Sequence, residues 1–372
     1  MNKFRLPPIS ILSGSTLINF IRVLSQGRVA PKYYLKVLLT TLVILIATPF
    51  HWWEYFFFKR KLRKFQFIKE PVFILGHWRS GTTLLHNTLC IDPAAGYVTT
   101  YQSVFPNNLA SKWLFKTFMK INMPDKRPTD NISLNIDAPQ EDEFAFSNMQ
   151  AHAYYNFFYF PHQYRTFYDH SVHHKNLSDV EIEKWFISYD TLLKKALLNT
   201  NGVRLIVKNP VNTARIKHLL KLYPNAKFIY IYRNPITVIL STQLFFKELF
   251  PTLILQKTNE QFIETMIFDV YSSLLNEYLM QKELIPEGNL LETRYEDFEQ
   301  TPLRVIKNIY DTILKEDFSE VKNHYHAYFE SINGYVKNTY EIEEATIDKI
   351  KKHITRFLTL YGYDVPEEII IK

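Results

Sequence analysis

Between residues 76 and 85 the chain reads GHWRSGTTLL. Gly76 and Gly81 are spaced as in the phosphate-cradling pattern G-x-x-x-x-G-K-[ST]. The lysine of that pattern is replaced by Thr82, and the nearest cation, Arg79, sits inside the loop. A glycine loop between a buried strand and a helix points backbone N–H groups at an anion, with the positive end of the helix dipole behind them. Ser80, Thr82 and Thr83 add hydroxyl donors, and the planar fork of Arg79 matches the oxygens of phosphate or sulfate. Glycine turns after strands are common without any ligand, but a cation and three hydroxyls within five residues favour an anion site.

Other segments that read as strand ends also carry cations, Lys208-Asn209 in one and Tyr232-Arg233 in the other. Nucleotide-hydrolysing loops of this kind hold magnesium with a Ser/Thr after the lysine and an acidic residue ending another strand. The pattern here points instead to metal-free transfer of an anionic group from a nucleotide. The histidines at 152, 162, 170, 173 and 174 lack zinc-ligand spacing and read as surface and cap residues. A group of carboxylates, Glu141, Asp142 and Glu143, falls in DAPQEDEFAF (137–146), in the first turns of an expected helix. Asp137 and Gln140 there have the spacing of a capping box, so these acids have a structural role open to them as well.

The elements that must position these groups follow an α/β grammar. PVFILG (71–76) reads as a buried strand feeding the loop, with TLLHNTL continuing as a helix. GVRLIVKN (202–209), AKFIYIYR (226–233) and NLLETRY (289–295) read as further strands, with helices over 213–223 and from Pro235. Strand, crossover and strand predict a three-layer, P-loop-like parallel sheet flanked by helices. Residues 97–200, rich in aromatics and histidine, are expected to form an inserted helical cap that contributes the acceptor region. Cys90 excludes an intrachain disulfide, being the one cysteine, and reads as core packing beside Leu85 and Leu89.

Residues 1–64 stand apart from this domain, which is expected to run over 65–372. From Val37 to Trp53, seventeen residues carry no Asp, Glu, Lys or Arg, the lower limit for a bilayer span. Interfacial aromatics Trp52, Trp53 and Tyr55 follow, then the basic run KRKLRK at 59–64. An N-terminal membrane-associated apolar helix is expected, meeting the membrane through residues 33–64. Pro49 interrupts the run, so spanning, monotopic and re-entrant arrangements are open, with a buried helix packed on the main domain as the further alternative. Net charge +7 suits an anionic substrate or membrane surface; no nucleic-acid partner is expected, and oligomeric state is open. The basic flanks and the lack of disulfides favour a cytoplasm-facing site.

On these motifs the chain resembles the PAPS-dependent sulfotransferases. Residues 71–93, PVFILGHWRSGTTLLHNTLCIDP, resemble that family's 5′-phosphosulfate loop, and 226–242, AKFIYIYRNPITVILST, resemble its 3′-phosphate motif, a strand ending in Arg with Ser eight residues on. A weaker likeness extends over about 70–365. The resemblance implies that 3′-phosphoadenosine 5′-phosphosulfate donates the group and leaves as adenosine 3′,5′-bisphosphate. It implies that Arg79 stabilises the leaving phosphate, that Ser80, Gly81, Thr82 and Thr83 bind the 5′-phosphate, and that Arg233 and Ser241 bind the 3′-phosphate. Lys337 and Asn338, near Gly334, have the placement of the loop that closes over the nucleotide.

The pattern departs from the family at the acceptor side. The cytosolic branch ends one strand in Lys-Thr-His, whose histidine takes the acceptor's proton; here Lys208-Asn209-Pro210 keeps the lysine, placed to polarise the transferring group, and loses the base. The glutamate of the tyrosylprotein branch has no counterpart in YVTTYQSVFP, which offers Gln102. Glu143 is the first candidate base and Glu141 the second, with His152 and His170 behind them. The sequence thus predicts sulfuryl transfer to a hydroxyl on an apolar or lipid-like acceptor. A carbohydrate acceptor, a nucleotide kinase or NTPase, and a non-catalytic membrane-tethered nucleotide-binding protein are the alternatives.

Overall fold

A computed structural model describes residues 9–123, 135–331, 340–366 and 369–371. The chain divides into two compact units. The first comprises Met1–Lys69, Gly96–Val207 and Lys247–Asn259, and the second Glu70–Ala95, Lys208–Phe246 and Glu260–Lys372.

The strands form where apolar runs are short and bounded by polar or glycine residues. Four of them are β1, Val72–Leu75; β2, Arg204–Lys208; β3, Lys227–Tyr232; and β4, Leu290–Arg294. All residues of β1 and β2 are buried, as expected of strands covered on both faces of a parallel sheet. In the second unit β3 pairs in parallel with β1 on one side, Val72 opposite Lys227, and with β4 on the other, Phe228 opposite Leu290. The central parallel sheet is flanked by helices, as the sequence predicts. Helix Thr82–Leu89 leaves the loop after β1, and helix Pro235–Leu253 follows β3.

Two expectations for this unit change. The helix expected over 213–223 is preceded by a 3₁₀ turn, Pro210–Ala214, and itself runs Ile216–Leu222. Pro210 starts the turn because its fixed φ suits a first helical position, and Asn209 Oδ1 accepts the Val211 N–H at 3.1 Å. Cys90 lies at the C-cap of Thr82–Leu89 and is half-buried, unlike the fully buried Leu85 beside it. Burial nevertheless raises its thiol well above the ordinary range, which removes thiolate reactivity.

In the first unit, one continuous helix runs from Tyr34 to Lys64 through Pro49. Proline removes a hydrogen bond and crowds the carbonyl four residues earlier; Pro49 and Leu45 both lie on the exposed side, where that distortion meets no packing. The buried face is Lys36, Thr40, Ile44, Ala47, Glu54 and Phe58, at the three- and four-residue spacing of one helical stripe. Much of this stripe is polar and bonded into the unit. Lys36 Nζ donates to the Thr252 carbonyl at 2.6 Å, and Ser10 N–H to Thr40 Oγ1 at 3.0 Å. Glu54 pairs with Lys195 and accepts the Ala110 N–H at 2.6 Å. Around it lies a core of Tyr101, Phe105, Leu109 and Phe115.

Residues of the expected cap are largely helical. Helix Asp179–Thr200 starts at a capping box formed by Ser178 and Glu181. Its Trp185 and Tyr189 stack at 5.5 Å and meet Phe146 edge-on. The aromatic run Tyr154–Phe158 forms a fully buried 3₁₀ helix.

Candidate active site

The phosphate-type loop of the second unit is shaped by its two glycines. Gly76 has φ 141° and Gly81 φ 93°, values that side chains beyond glycine rarely adopt. Space is equally restrictive: a Cβ on Gly76 would lie 2.4 Å from the Ile231 carbonyl oxygen, and one on Gly81 2.2 Å from the Tyr295 ring. The Gly76 N–H donates to Thr213 Oγ1 at 2.8 Å, tying the loop to the turn after β2. Ser80 is engaged within the loop, its Oγ donating to the His77 carbonyl at 2.7 Å.

Arg79 is in the left-handed region, φ 67°, where a non-glycine residue is strained by about 1–2 kcal/mol. Its Nε donates to Ser241 Oγ at 2.8 Å, across 162 positions of chain. Two motifs that are separate in the sequence therefore meet. Lys208, buried at the end of β2, donates from Nζ to Thr83 Oγ1 at 3.2 Å. Arg233, at the end of β3, stacks on Tyr295 with its guanidinium carbon 4.3 Å from the ring centroid. Arg79, Ser80, Gly81, Thr82, Thr83, Lys208, Arg233 and Ser241 thus all belong to the second unit.

His77 is buried and its Nδ1 lies 2.9 Å from the Trp78 carbonyl. Burial lowers its pKa to about 4, partly opposed by that hydrogen bond, so the ring is neutral at physiological pH and donates through Nδ1–H.

The acidic candidates lie in the first unit. Helix Asp142–Ser147 has its N-cap at Glu141, four residues after the expected cap Asp137, which pairs with Lys112 and Lys116 instead. Those two lysines hold its carboxyl below the ordinary range against a desolvation effect that opposes them. Glu143 is buried and its Oε1 accepts the Tyr154 N–H at 2.6 Å. Glu141 caps the helix by position only, and its Oε2 accepts from the Tyr155 hydroxyl. Asp142 is bonded to Tyr189 at 2.8 Å. His152 and His170 face each other with Nδ1 atoms 3.4 Å apart, and His152 lies 3.6 Å from Glu181; burial holds both rings below the ordinary histidine range. Gly334, Lys337 and Asn338 lie outside the described residues.

Sequence reasoning missed Thr213, Tyr295 and His77 as loop-shaping residues. Tyr295 carried the one available signal, since it follows directly on a strand of the sheet.

A glycine loop after a buried parallel strand, an arginine inside it and a second arginine–serine motif converging on it place the protein in a known class. The chain belongs to the sulfotransferase family, whose model matches residues 71–319, and it is a sulfotransferase enzyme. Over 358 residues, 94% of this chain and 90% of the relative, it is 27% identical to the omega-hydroxy-beta-dihydromenaquinone-9 sulfotransferase Stf3 of Mycobacterium tuberculosis, and equally to that of Mycobacterium bovis. The fold is similar to that of the solved sulfotransferase STF9 from Mycobacterium avium, with TM-score 0.65 at 15% identity, covering 85% of this chain and 82% of that one. It is also similar to STF1 from Mycobacterium tuberculosis, with TM-score 0.62 at 15% identity, covering 93% and 90%.

Two predictions follow from the loop. Arg79→Gly removes both the side chain and the left-handed strain, so stability should change by no more than about 1 kcal/mol while turnover falls on the order of 10²–10³-fold. Wild-type turnover in that variant would exclude Arg79 from the chemistry. The second concerns pH. An unfolded histidine titrates near 6.5, so between there and about 4 the unfolded chain binds a proton that folded His77 refuses. Stability present above pH ~6.5 should therefore fall as pH drops toward 4, by roughly 3 kcal/mol from this group. Denaturant melts of His77→Gln should show a shallower decline over that window.

Proposed function

We propose that the protein transfers a sulfuryl group from 3′-phosphoadenosine 5′-phosphosulfate to a hydroxyl of an apolar, lipid-like acceptor, at a membrane and from the cytoplasmic side. The observation that carries the donor half is the hydrogen bond from Arg79 to Ser241, which joins the phosphosulfate-type loop to the 3′-phosphate-type motif. The donor supplies an activated sulfuryl group whose departure leaves charge on the 5′-phosphate. The positive-φ glycines set the tight backbone path of the loop, and Arg79 and Lys208 bring two cations to it. Thr82 and Thr83, at the start of helix Thr82–Leu89, present N–H groups there. Arg233, oriented by Tyr295, suits the 3′-phosphate.

The acceptor half is supported by the similarity to a sulfotransferase whose name specifies a hydroxylated menaquinone, and by the aromatic content of the first unit. Glu143 is our candidate for the base that takes the acceptor's proton. Its carboxylate is buried and fixed through one oxygen by the Tyr154 N–H, and a positioned carboxylate of this kind contributes typically 10²–10⁴-fold. Glu141, bonded to a tyrosine hydroxyl, is the second choice.

Calorimetry in EDTA tests the donor assignment. Adenosine 3′,5′-bisphosphate should bind more tightly than ADP, and Arg233→Ala should lose roughly tenfold or more for the former with little change for the latter. Equal affinities would overturn it. For the acceptor half, Glu143→Gln should reduce transfer to a long-chain alcohol or quinol by about 10²-fold or more while leaving nucleotide affinity unchanged. Unaltered turnover and pH–rate profile would exclude Glu143 as the base.

A further inference from the structure

Helix Tyr34–Lys64 departs from an ordinary amphipathic helix, with polar residues interleaved among Ile44, Ala47 and Phe58 on its buried stripe and a mostly apolar outward face. Its buried stripe carries Lys36, Thr40 and Glu54, whereas its outward face carries Leu38, Leu42, Ile46, Trp52, Trp53 and Phe56, with Ile46 and Trp52 each 67% exposed. A soluble helix places those two sets the other way round, and a contiguous exposed apolar face of this kind marks an interaction surface. The face ends in exposed cations, Lys59, Arg60, Lys61, Arg63 and Lys64. Lys61 Nζ lies 3.8 Å from the Phe57 ring centroid, which keeps charge and aromatic surface together. Cations at a helix C-terminus also favour the helix dipole, but that accounts for none of the apolar surface.

We infer that this helix is a monotopic docking element, lying in the plane of an anionic lipid bilayer with its Leu–Ile–aromatic face inserted and its basic end on the headgroups. The occupant is a lipid surface because the patch combines the three features such a surface recognises: aliphatic side chains, tryptophans suited to the interface, and a flanking basic cluster.

The same helix is equally specific about what it does not do. A helix of 31 residues is about 46 Å long, more than enough to cross a hydrocarbon core of about 30 Å. Crossing would require stripping its other face from the unit. Lys36 is bonded to Thr252, Thr40 to Ser10, and Glu54 to Lys195 and Ala110, and these contacts bracket the charge-free segment 37–53. A buried charge whose partner is removed is destabilised by several kcal/mol even before it meets lipid. Insertion of one face to a depth of ~5–10 Å leaves every one of those bonds intact.

The inference deepens the membrane element of the proposed function, and its test reads binding without turnover, so it succeeds or fails independently of the acceptor assignment. Purified full-length protein is floated with vesicles of phosphatidylcholine alone or mixed with phosphatidylglycerol. It should float with the anionic vesicles and bind neutral ones roughly tenfold or more weakly. Alkaline carbonate should release it. Leu42→Glu/Ile46→Glu/Phe56→Glu should abolish flotation, and Lys59→Gln/Arg60→Gln/Arg63→Gln should remove the preference for phosphatidylglycerol, each with thermal melting close to wild type. Failure of the wild type to float, retention after carbonate as for a spanning helix, or burial of the face in a stable soluble dimer would each overturn the inference. Should the glutamate variant fail to fold, the charge variant decides: unchanged anionic preference overturns it.

Discussion

The hydrogen bond from Arg79 Nε to Ser241 Oγ is the constraint that joins the two anion-binding motifs of the second unit. To make it, Arg79 must leave the loop in a left-handed conformation, and that backbone path exists only because Gly76 and Gly81 flank it at angles other residues avoid. The glycines are enforced twice over, by φ and by the atoms that occupy the space a side chain would need. Ile231 in β3 closes one end and Tyr295 after β4 closes the other. The parallel pairing of β1 with β3 and of β3 with β4 is what delivers those two residues to the loop. Tyr295 then serves a second purpose as the platform for Arg233, so a single ring fixes both the end of the loop and the cation of the other motif.

The first unit is built on a different physical problem, that of a long apolar helix kept attached to a folded body. Ile44, Ala47 and Phe58 bury apolar surface on its inner face. Polar bonds add to that attachment, with the Glu54–Lys195 pair near its C-terminal half and Lys36 near its start. Lys195 also donates to the Pro106 carbonyl at 2.5 Å, so the buried pair is satisfied by backbone groups on both sides. That is the condition under which a buried ion pair is tolerated, since desolvation otherwise outweighs the Coulombic gain. Burial lowers the pKa of Lys36 to about 8, a sign that its position is set by packing and the Thr252 carbonyl rather than by a countercharge.

What was legible in the sequence, and what was not, follows from the range of the interactions. β1 to β3 are legible because strands of a buried parallel sheet read as near-continuous apolar runs, whereas β4, LLETR, is only partly buried; the loop is legible because glycine, cation and hydroxyls are adjacent in the chain. The pairing of Arg79 with Ser241 was readable only as two separate motifs; that they touch is a property of the sheet. Asp137 has the local spacing of a cap, but its partners, Lys112 and Lys116, lie over twenty positions upstream. Local propensity weighs against proline in a helix, whereas the helix continues through Pro49 with its opposite face buried. Thr213 is beyond any local rule, since it acts on the loop from a distant segment, and Tyr295 is marked only by following directly on a strand of the sheet.

The Lys208-Asn209-Pro210 sequence is best understood through this distinction. In the cytosolic enzymes that it resembles, the third of these positions holds a catalytic histidine. Here the proline begins the 3₁₀ turn Pro210–Ala214, the Asn209 side chain caps that turn, and the turn carries Thr213 to the Gly76 N–H. The segment after β2 is therefore used to hold the phosphate-type loop in shape while Lys208, one residue earlier, still reaches Thr83. Replacing the proline with histidine would relax φ at the start of the turn and loosen the support of Gly76 before adding any base. A chain that uses this position for loop geometry has to find its proton acceptor elsewhere, and this constraint, rather than the mere presence of carboxylates, is what directs attention to the buried Glu143.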